Sequence, residues 1–203
     1  MKTQRLNAVL EQMKKDGIQQ MIVSDPYSIF YLTGLMLHTG ERLFALYLNV
    51  DGNHKLFVNE LFPIEEDLGV EKVIFKDTDD SVKVVADRVD HNAVMGIDKN
   101  WPARFLLGLM EHGAGSKFVN GSYIIDRLRM CKDEEEKELM RKASAINDAA
   151  VERLQKEITA DLTEKQLVTV LKGIYEDLGA DGLSFDPIIG FAANGANPHG
   201  EPG

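Results

Sequence analysis

The order of apolar runs and turn residues predicts an α/β domain, a mixed sheet flanked by helices, followed by a region in which two long helices lead into a strand. Three observations predict it. Short runs rich in Val, Ile, Leu and Phe alternate with stretches whose apolar residues recur every three or four positions, the grammar of strands and amphipathic helices. An Asp51-Gly52 pair separates two of the runs, as a tight hairpin turn requires. From about residue 132 the pattern changes to long helical periodicity, with no strand until residue 185.

Leu6, Val9, Leu10 and Met13 fall at helical spacing and Gly17 follows as a stop, so the first element is a helix of about four turns. Gln20 to Ser24 is a short apolar run bounded by Asp25-Pro26, hence a buried strand, and Tyr27 to Leu32 makes a short helix before Gly34. Leu43 to Leu48 and Lys55 to Val58 form antiparallel strands around Asn49 to His54. Leu61 to Leu68 is expected as a helix and Lys72 to Phe75 as a strand. Val82, Val84, Val85 and Val89 mark a helix, and Val94 to Ile97 a strand. Phe105, Leu106, Leu109 and Met110 mark a further helix and Lys117 to Val119 the last strand of the domain. Such alternation with short connections favours a mixed sheet covered by helices. Trp101, beside Pro102, reads as a packing residue at a helix start, and His54, His91 and His112 as surface residues among polar neighbours.

Ser122 to Leu128 reads as a connecting helix, which places the first domain at residues 1–126 and the second at 127–203. The second opens on Lys132 to Glu136, acidic residues that favour the positive end of a helix dipole. Leu139, Ala143, Ile146, Ala150 and Leu154 continue as one apolar stripe on a helix of about twenty-five residues. Thr163 to Gln166 has capping-box spacing, and Leu167, Val170, Leu171 and Ile174 share a face until Gly179. Phe185 to Phe191, with Ile188-Ile189, then reads as a buried strand, and the Ala-Asn-Gly-Ala-Asn-Pro run after it as a turn-rich loop.

Composition excludes several function classes. The 203 residues suffice for one full domain and part of another at roughly 100–200 residues per domain. No apolar run approaches the roughly 18 residues that span a bilayer, and the first residues begin an amphipathic helix instead of a signal peptide. A cytoplasmic protein with no membrane partner is therefore expected. Acidic residues number 33 against 23 basic ones, for a net charge of −10, and no Lys/Arg cluster is present. A polyanion needs a basic face, so nucleic acid is not the expected partner. The single Cys131 excludes an intramolecular disulfide framework and cannot form a metal cluster by itself.

Two loops carry candidate chemistry. His199 sits between Pro198 and Gly200 on the loop behind the last expected strand, where a rigid element presents an exposed group. On local chemistry alone it has no named partner, and a solvated loop histidine is the plainer reading. The loop Met36 to Arg42 places the imidazole of His38, the carboxylate of Glu41 and the guanidinium of Arg42 within five residues. A guanidinium can grip a carboxylate through two hydrogen bonds, and a solvated charged loop is the plainer alternative.

Read together, Arg129 to Glu136, Leu139 to Ala143, Ile146 to Ala150, Leu162-Thr163-Glu164, Gly179 to Phe185 and Asn197-Pro198-His199-Gly200 resemble the entry into the pita-bread metallopeptidase fold. Within that fold the chain most resembles the Xaa-Pro dipeptidases (prolidases) and aminopeptidases P, and residues 1–126 resemble their creatinase-type amino-terminal domain. The resemblance implies that 127–203 is the amino-terminal part of an incomplete α+β pita-bread domain. It implies a Xaa-Pro peptide substrate, a homodimer, and two divalent metal ions, Mn, Co or Zn, in the full-length protein. A peptide bond to proline has no N–H, so its hydrolysis leans on a polarised carbonyl and supplied hydroxide, which a metal pair provides.

The family's five metal ligands, two Asp, one His and two Glu, all lie downstream of Pro-His-Gly. These 203 residues are therefore expected to carry none of them, to bind no metal pair and to be inactive by themselves; Asp181 and Asp186 precede the motif and take no such role. The resemblance gives His199 the part of a hydrogen-bond donor or proton shuttle at the substrate carbonyl. Phe185 and Asn194 would shape the pocket or brace the loop. His38 and Arg42 would help cap or bind the substrate from the dimer partner. An aminopeptidase P, a metal-free creatinase-like C–N hydrolase and a non-catalytic binding module on the same fold share much of this pattern.

Overall fold

Six short runs are extended in the computed structural model, which describes residues 1–203. They are β1 (Gln20–Val23), β2 (Ala45–Asn49), β3 (Lys55–Asn59), β4 (Glu71–Phe75), β5 (Val94–Ile97) and β6 (Lys117–Asn120). They form one sheet in the order β4-β3-β2-β1-β5-β6. β2 is antiparallel to β1 and β3, and every other pairing is parallel. Five strands therefore run one way, and their carboxyl ends share an edge with the start of β2.

The apolar runs are continuous because both faces of the sheet are covered, and the two-residue period sorts them. Met21, Val23, Leu46, Leu48, Leu56 and Val58 enter one buried cluster with Val9, Met13, Ile29, Leu32, Ile124 and Ile125. Those partners come from helices α1 (Thr3–Lys15), α2 (Pro26–Thr33) and α5 (Ser122–Met130). The intervening Ile22, Ala45, Tyr47 and Phe57 face the other way, with Val73, Phe75, Met95 and Ile97. There they meet Val85 and Ala86 of α3 (Ser81–Ala86) and Phe105 and Leu109 of α4 (Ala103–Glu111). β1, β2 and β3 thus supply both layers, whereas the buried side chains of β4 and β5 join the second alone.

Three expectations are corrected. Residues 61–68 contain no helix. Pro63 disfavours helical backbone at the residue before it, and the Asn59 side chain draws the chain into a turn by accepting from the Leu61 N–H at 3.0 Å. Val89 lies beyond α3, which ends at Ala86. Phe185 to Phe191 forms no strand. A strand needs a neighbour to take its backbone hydrogen bonds, and Lys132–Gly203 contains no other extended segment.

The chain divides into two compact units, Met1–Cys131 and Lys132–Gly203. The first extends past the expected boundary after residue 126 because α5 runs on to Met130 and buries Ile124 and Ile125 in the first core. The second unit pairs α6 (Glu134–Glu157) with α7 (Glu164–Asp177). Both helices start in capping boxes, Asp133 with Glu136 and Thr163 with Gln166. Ala150, Leu171 and Ile174 are the buried centre of this unit, with Leu154, Val170, Tyr175, Leu178 and Ile189 around them.

Candidate functional site

His199 lies in the second unit on a loop whose shape is set by close backbone approaches. Phe191 is followed by Ala192 with φ of 46°, the one non-glycine residue in the left-handed region, a conformation that costs about 1–2 kcal/mol for an L-residue. Asn194–Ala196 makes a single 3₁₀ turn, with the Gly195 N–H donating to the Phe191 carbonyl at 3.2 Å. A side chain at Gly195 would come within 2.9 Å of the Gly190 carbonyl oxygen, so the loop closes on itself only with glycine there. Asn197 turns the chain again, its side chain accepting from the His199 N–H at 3.1 Å and its carbonyl from the Gly200 N–H at 3.0 Å. Gly200 is buried against Asn194, and the imidazole of His199 is exposed.

The loop is tied to the first turn of α7. Glu164, only 8% exposed, accepts from the Phe191 N–H at 2.5 Å through one carboxylate oxygen. Its other oxygen accepts from the Asn194 side-chain amide at 2.7 Å and the Gly203 N–H at 2.6 Å. These donors, the Gly203 and Phe191 amides first, hold the carboxyl below its usual range. Asn194 also donates to the Glu201 carbonyl at 3.1 Å, so it braces the loop from within.

Phe185 stands elsewhere in the same unit. It is 75% exposed and lines a groove of about 770 Å³ with Leu139, Ile146, Val151, Tyr175 and Ile188. Asn194 and His199 are outside that lining.

His38 and Arg42 lie in the first unit, on the loop that enters β2 at the carboxyl edge of the sheet. Crevices outside the carboxyl ends of parallel strands are the usual ligand sites of open α/β sheets. Gly40, with φ of 63°, allows the turn in which the Arg42 N–H donates to the Thr39 carbonyl at 3.2 Å. The exposed His38 stands edge-on to Tyr27, their ring centres 6.4 Å apart. His38 and Arg42 both line a cleft of about 280 Å³ with Ser24, Asn100, Trp101 and Phe105. The Arg42 fork is engaged by Asp77, Nε at 2.9 Å and Nη2 at 2.8 Å. Asp77 also accepts from the Asn59 side chain at 2.7 Å. That pairing, with Arg42 the largest influence, holds the Asp77 carboxyl below its usual range and raises the guanidinium.

Sequence reasoning missed three of these features. Glu164 and Asp77 act across 27 to 39 and 35 positions, so no local spacing announces them. Trp101 packs on Phe105 as a core ring would, with ring centres 5.5 Å apart, but its indole N–H is buried without an acceptor. Its isolation as the single Trp gives no hint of that.

No three of the His, Cys, Asp and Glu side chains gather into a group able to hold a metal ion. Asp186 is highly exposed and pairs with Lys172 at 3.7 Å. The residues present do not fit a two-metal centre. No helix is long and apolar enough to cross a membrane.

Comparison with known proteins agrees with this architecture. Residues 5–131 match the Creatinase/Prolidase N-terminal domain and residues 138–203 match Metallopeptidase family M24. The chain is similar to a prolidase of Thermococcus sibiricus, with a TM-score of 0.88 and 26% identity over 100% of this chain and 57% of that one. A dipeptidase of Pyrococcus horikoshii OT3 gives 0.85 and 28%, over 98% and 56% of the two chains. An uncharacterized peptidase of Staphylococcus saprophyticus is 26% identical over 205 residues, 98% of this chain and 57% of its own length. The chain spans a little over half the length of the curated relatives it matches. With more than half of its residues in the first match, and the six-stranded sheet and helix pair in the same order along the chain, it belongs to the creatinase/prolidase family, an N-terminal domain followed by residues of an M24 peptidase domain.

Proposed function

We propose that these residues are part of a peptidase that cleaves Xaa-Pro dipeptides, with His199 beside the scissile bond. The observation that carries this reading is the match along the whole chain to a prolidase at a TM-score of 0.88, with the Pro198-His199-Gly200 loop anchored on α7. An exposed imidazole on a braced loop can donate a hydrogen bond to the substrate carbonyl and return a proton as the tetrahedral intermediate collapses. The amide of a Xaa-Pro bond offers no N–H of its own, so recognition falls on its carbonyl and on the two termini of the dipeptide.

In this reading the two divalent ions, Mn, Co or Zn, are held by residues outside these 203, and the 203 residues alone do not turn over substrate. The protein acts as a cytoplasmic homodimer. His38 and Arg42 meet the substrate of the partner subunit, Arg42 through the free carboxylate of the dipeptide. Phe185 forms part of the wall, and Asn194 keeps the His199 loop in place.

The test is steady-state hydrolysis of Xaa-Pro dipeptides, Xaa-Ala dipeptides and Xaa-Pro-Yaa tripeptides by a chain extended to the full length of its relatives. Xaa-Pro dipeptides should be cleaved best, activity should disappear with a chelator and return with Mn²⁺, and His199→Ala should lower kcat about 10²- to 10⁴-fold. Preference for the tripeptide would move the assignment to an aminopeptidase P. Full activity of His199→Ala would remove the proposed role of that imidazole.

A further inference from the structure

The geometry points to Glu164 as the positioning residue of the loop that carries His199. A carboxylate in the first turn of a helix is ordinarily explained by the helix dipole alone. Glu134 and Glu135, in the first turn of α6, fit that explanation and are exposed. Glu164 differs, because it is buried and its two oxygens meet three donors, none of them from α7. A buried charge needs such partners, and here they are the Phe191 N–H, the Asn194 amide and the Gly203 N–H. Phe191 and Asn194 flank the left-handed Ala192, and Asn194 is the residue against which Gly200 packs. One carboxylate therefore holds Phe191 and Gly203, on either side of the segment from which His199 projects, and Asn194 between them. Capping of α7 is left to Thr163 and Gln166, so holding the loop is separable from starting the helix.

Glutamine cannot replace Glu164 without loss. With its carbonyl oxygen kept toward Phe191, its NH₂ group faces the Asn194 amide and the Gly203 N–H, donor against donor. Alanine removes both acceptor oxygens and leaves all three donors without them. As the anchor of the loop Glu164 stands on these contacts alone; as a contributor to catalysis it rests on the reading of His199 given above.

Hydrogen exchange on the 203-residue chain tests the anchor. In Glu164→Gln the amides of Phe191, His199 and Gly200 should exchange about ten- to hundredfold faster, the range for loss of a hydrogen bond to a charged group, while those of Ala150 and Ile174 keep their rates. Should that variant not fold, Asn194→Ala leaves the carboxylate and the capping box in place and should accelerate His199 and Gly200 in the same way. Unchanged exchange at Phe191 and His199 in the folded variants overturns the proposal. In the full-length chain Glu164→Gln should lower kcat about tenfold or more with KM within about twofold, and should add nothing to His199→Ala. Losses that add in the double variant overturn the positioning role. A normal kcat for His199→Ala alone would instead sink the reading of His199 and leave the exchange result to decide the anchor.

Discussion

Arg42 and Asp77 pair with both ends of the guanidinium fork occupied, and the Asn59 amide holds Asp77 from the other side. The pair is largely solvent-facing, so it should matter little for stability and more for where the guanidinium points. If Arg42 serves the carboxylate of a dipeptide, Asp77 competes with the substrate for the same fork. Arg42→Ala should then raise KM for a Xaa-Pro dipeptide about three- to tenfold, and Asp77→Asn, which removes the competing charge, should lower it. Equal KM values in all three proteins would take Arg42 out of substrate binding. His54 supplies a second test. Its Nδ1 accepts from the Asn49 N–H at 3.3 Å across the β2–β3 turn, and burial first, then the charge of Lys55, hold its pKa below the ordinary histidine value. On acidification the unfolded chain therefore takes up this proton before the folded one does. The stability His54 contributes is present above about pH 6.5 and is lost as pH falls through the lower folded-state value. The melting temperature should drop between pH 7.5 and pH 5 more for the parent than for His54→Asn.

The segment 60–69, where helical spacing misled, shows what spacing leaves out. Its Leu61, Phe62, Ile64 and Leu68 mimic a helix stripe, but Pro63 breaks the backbone and the Lys72 ammonium takes over the role of an interior partner. Lys72 donates to the Ile64 carbonyl at 2.7 Å and the Glu66 carbonyl at 2.6 Å, bonds that replace the missing helical ladder. Lys72→Met should cost about 1–2 kcal/mol in urea unfolding, read as a lower midpoint at constant slope. At the start of α7, Thr163→Ala should cost about 1 kcal/mol by leaving the Gln166 N–H without its cap. The elements of the first unit were legible because each is decided locally: short continuous apolar runs at β1 to β3, left-handed Gly17 and Gly34 after α1 and α2, Asp-Gly in the hairpin. Phe185 to Phe191 was not, because alternation describes a strand's faces and says nothing of whether a neighbour exists to bond it. The site divides the same way. His199 stood out through the residues beside it, whereas Glu164 and Asp77 matter through partners 27 and 35 positions distant, and only the folded chain brings those together.

The two units differ in what they bury. Met1–Cys131 places an apolar cluster on each face of its sheet, whereas Lys132–Gly203 centres on Ala150, Leu171 and Ile174. The second unit also exposes large apolar side chains, Leu139 at 58%, Met140 at 57% and Phe185 at 75% among them. Opening free energy follows buried apolar contact, so the second unit should be the first to open. In the 203-residue chain a low-specificity protease should cut first within 158–163 or 179–199 and leave a resistant product close to Met1–Cys131. Urea should unfold the chain in two steps, with α6 and α7 losing exchange protection before β1, β2 and β5. The exposed apolar side chains should bind an environment-sensitive dye such as ANS under native conditions, and Leu139→Glu with Phe185→Ser should reduce that binding without moving the second urea transition. A single cooperative transition, with protection lost at the same rate in α7 and β1, would mean that the helix pair draws its stability from the sheet unit. The small centre at Ala150, Leu171 and Ile174 would then be insufficient as the account of how residues 132–203 stay folded.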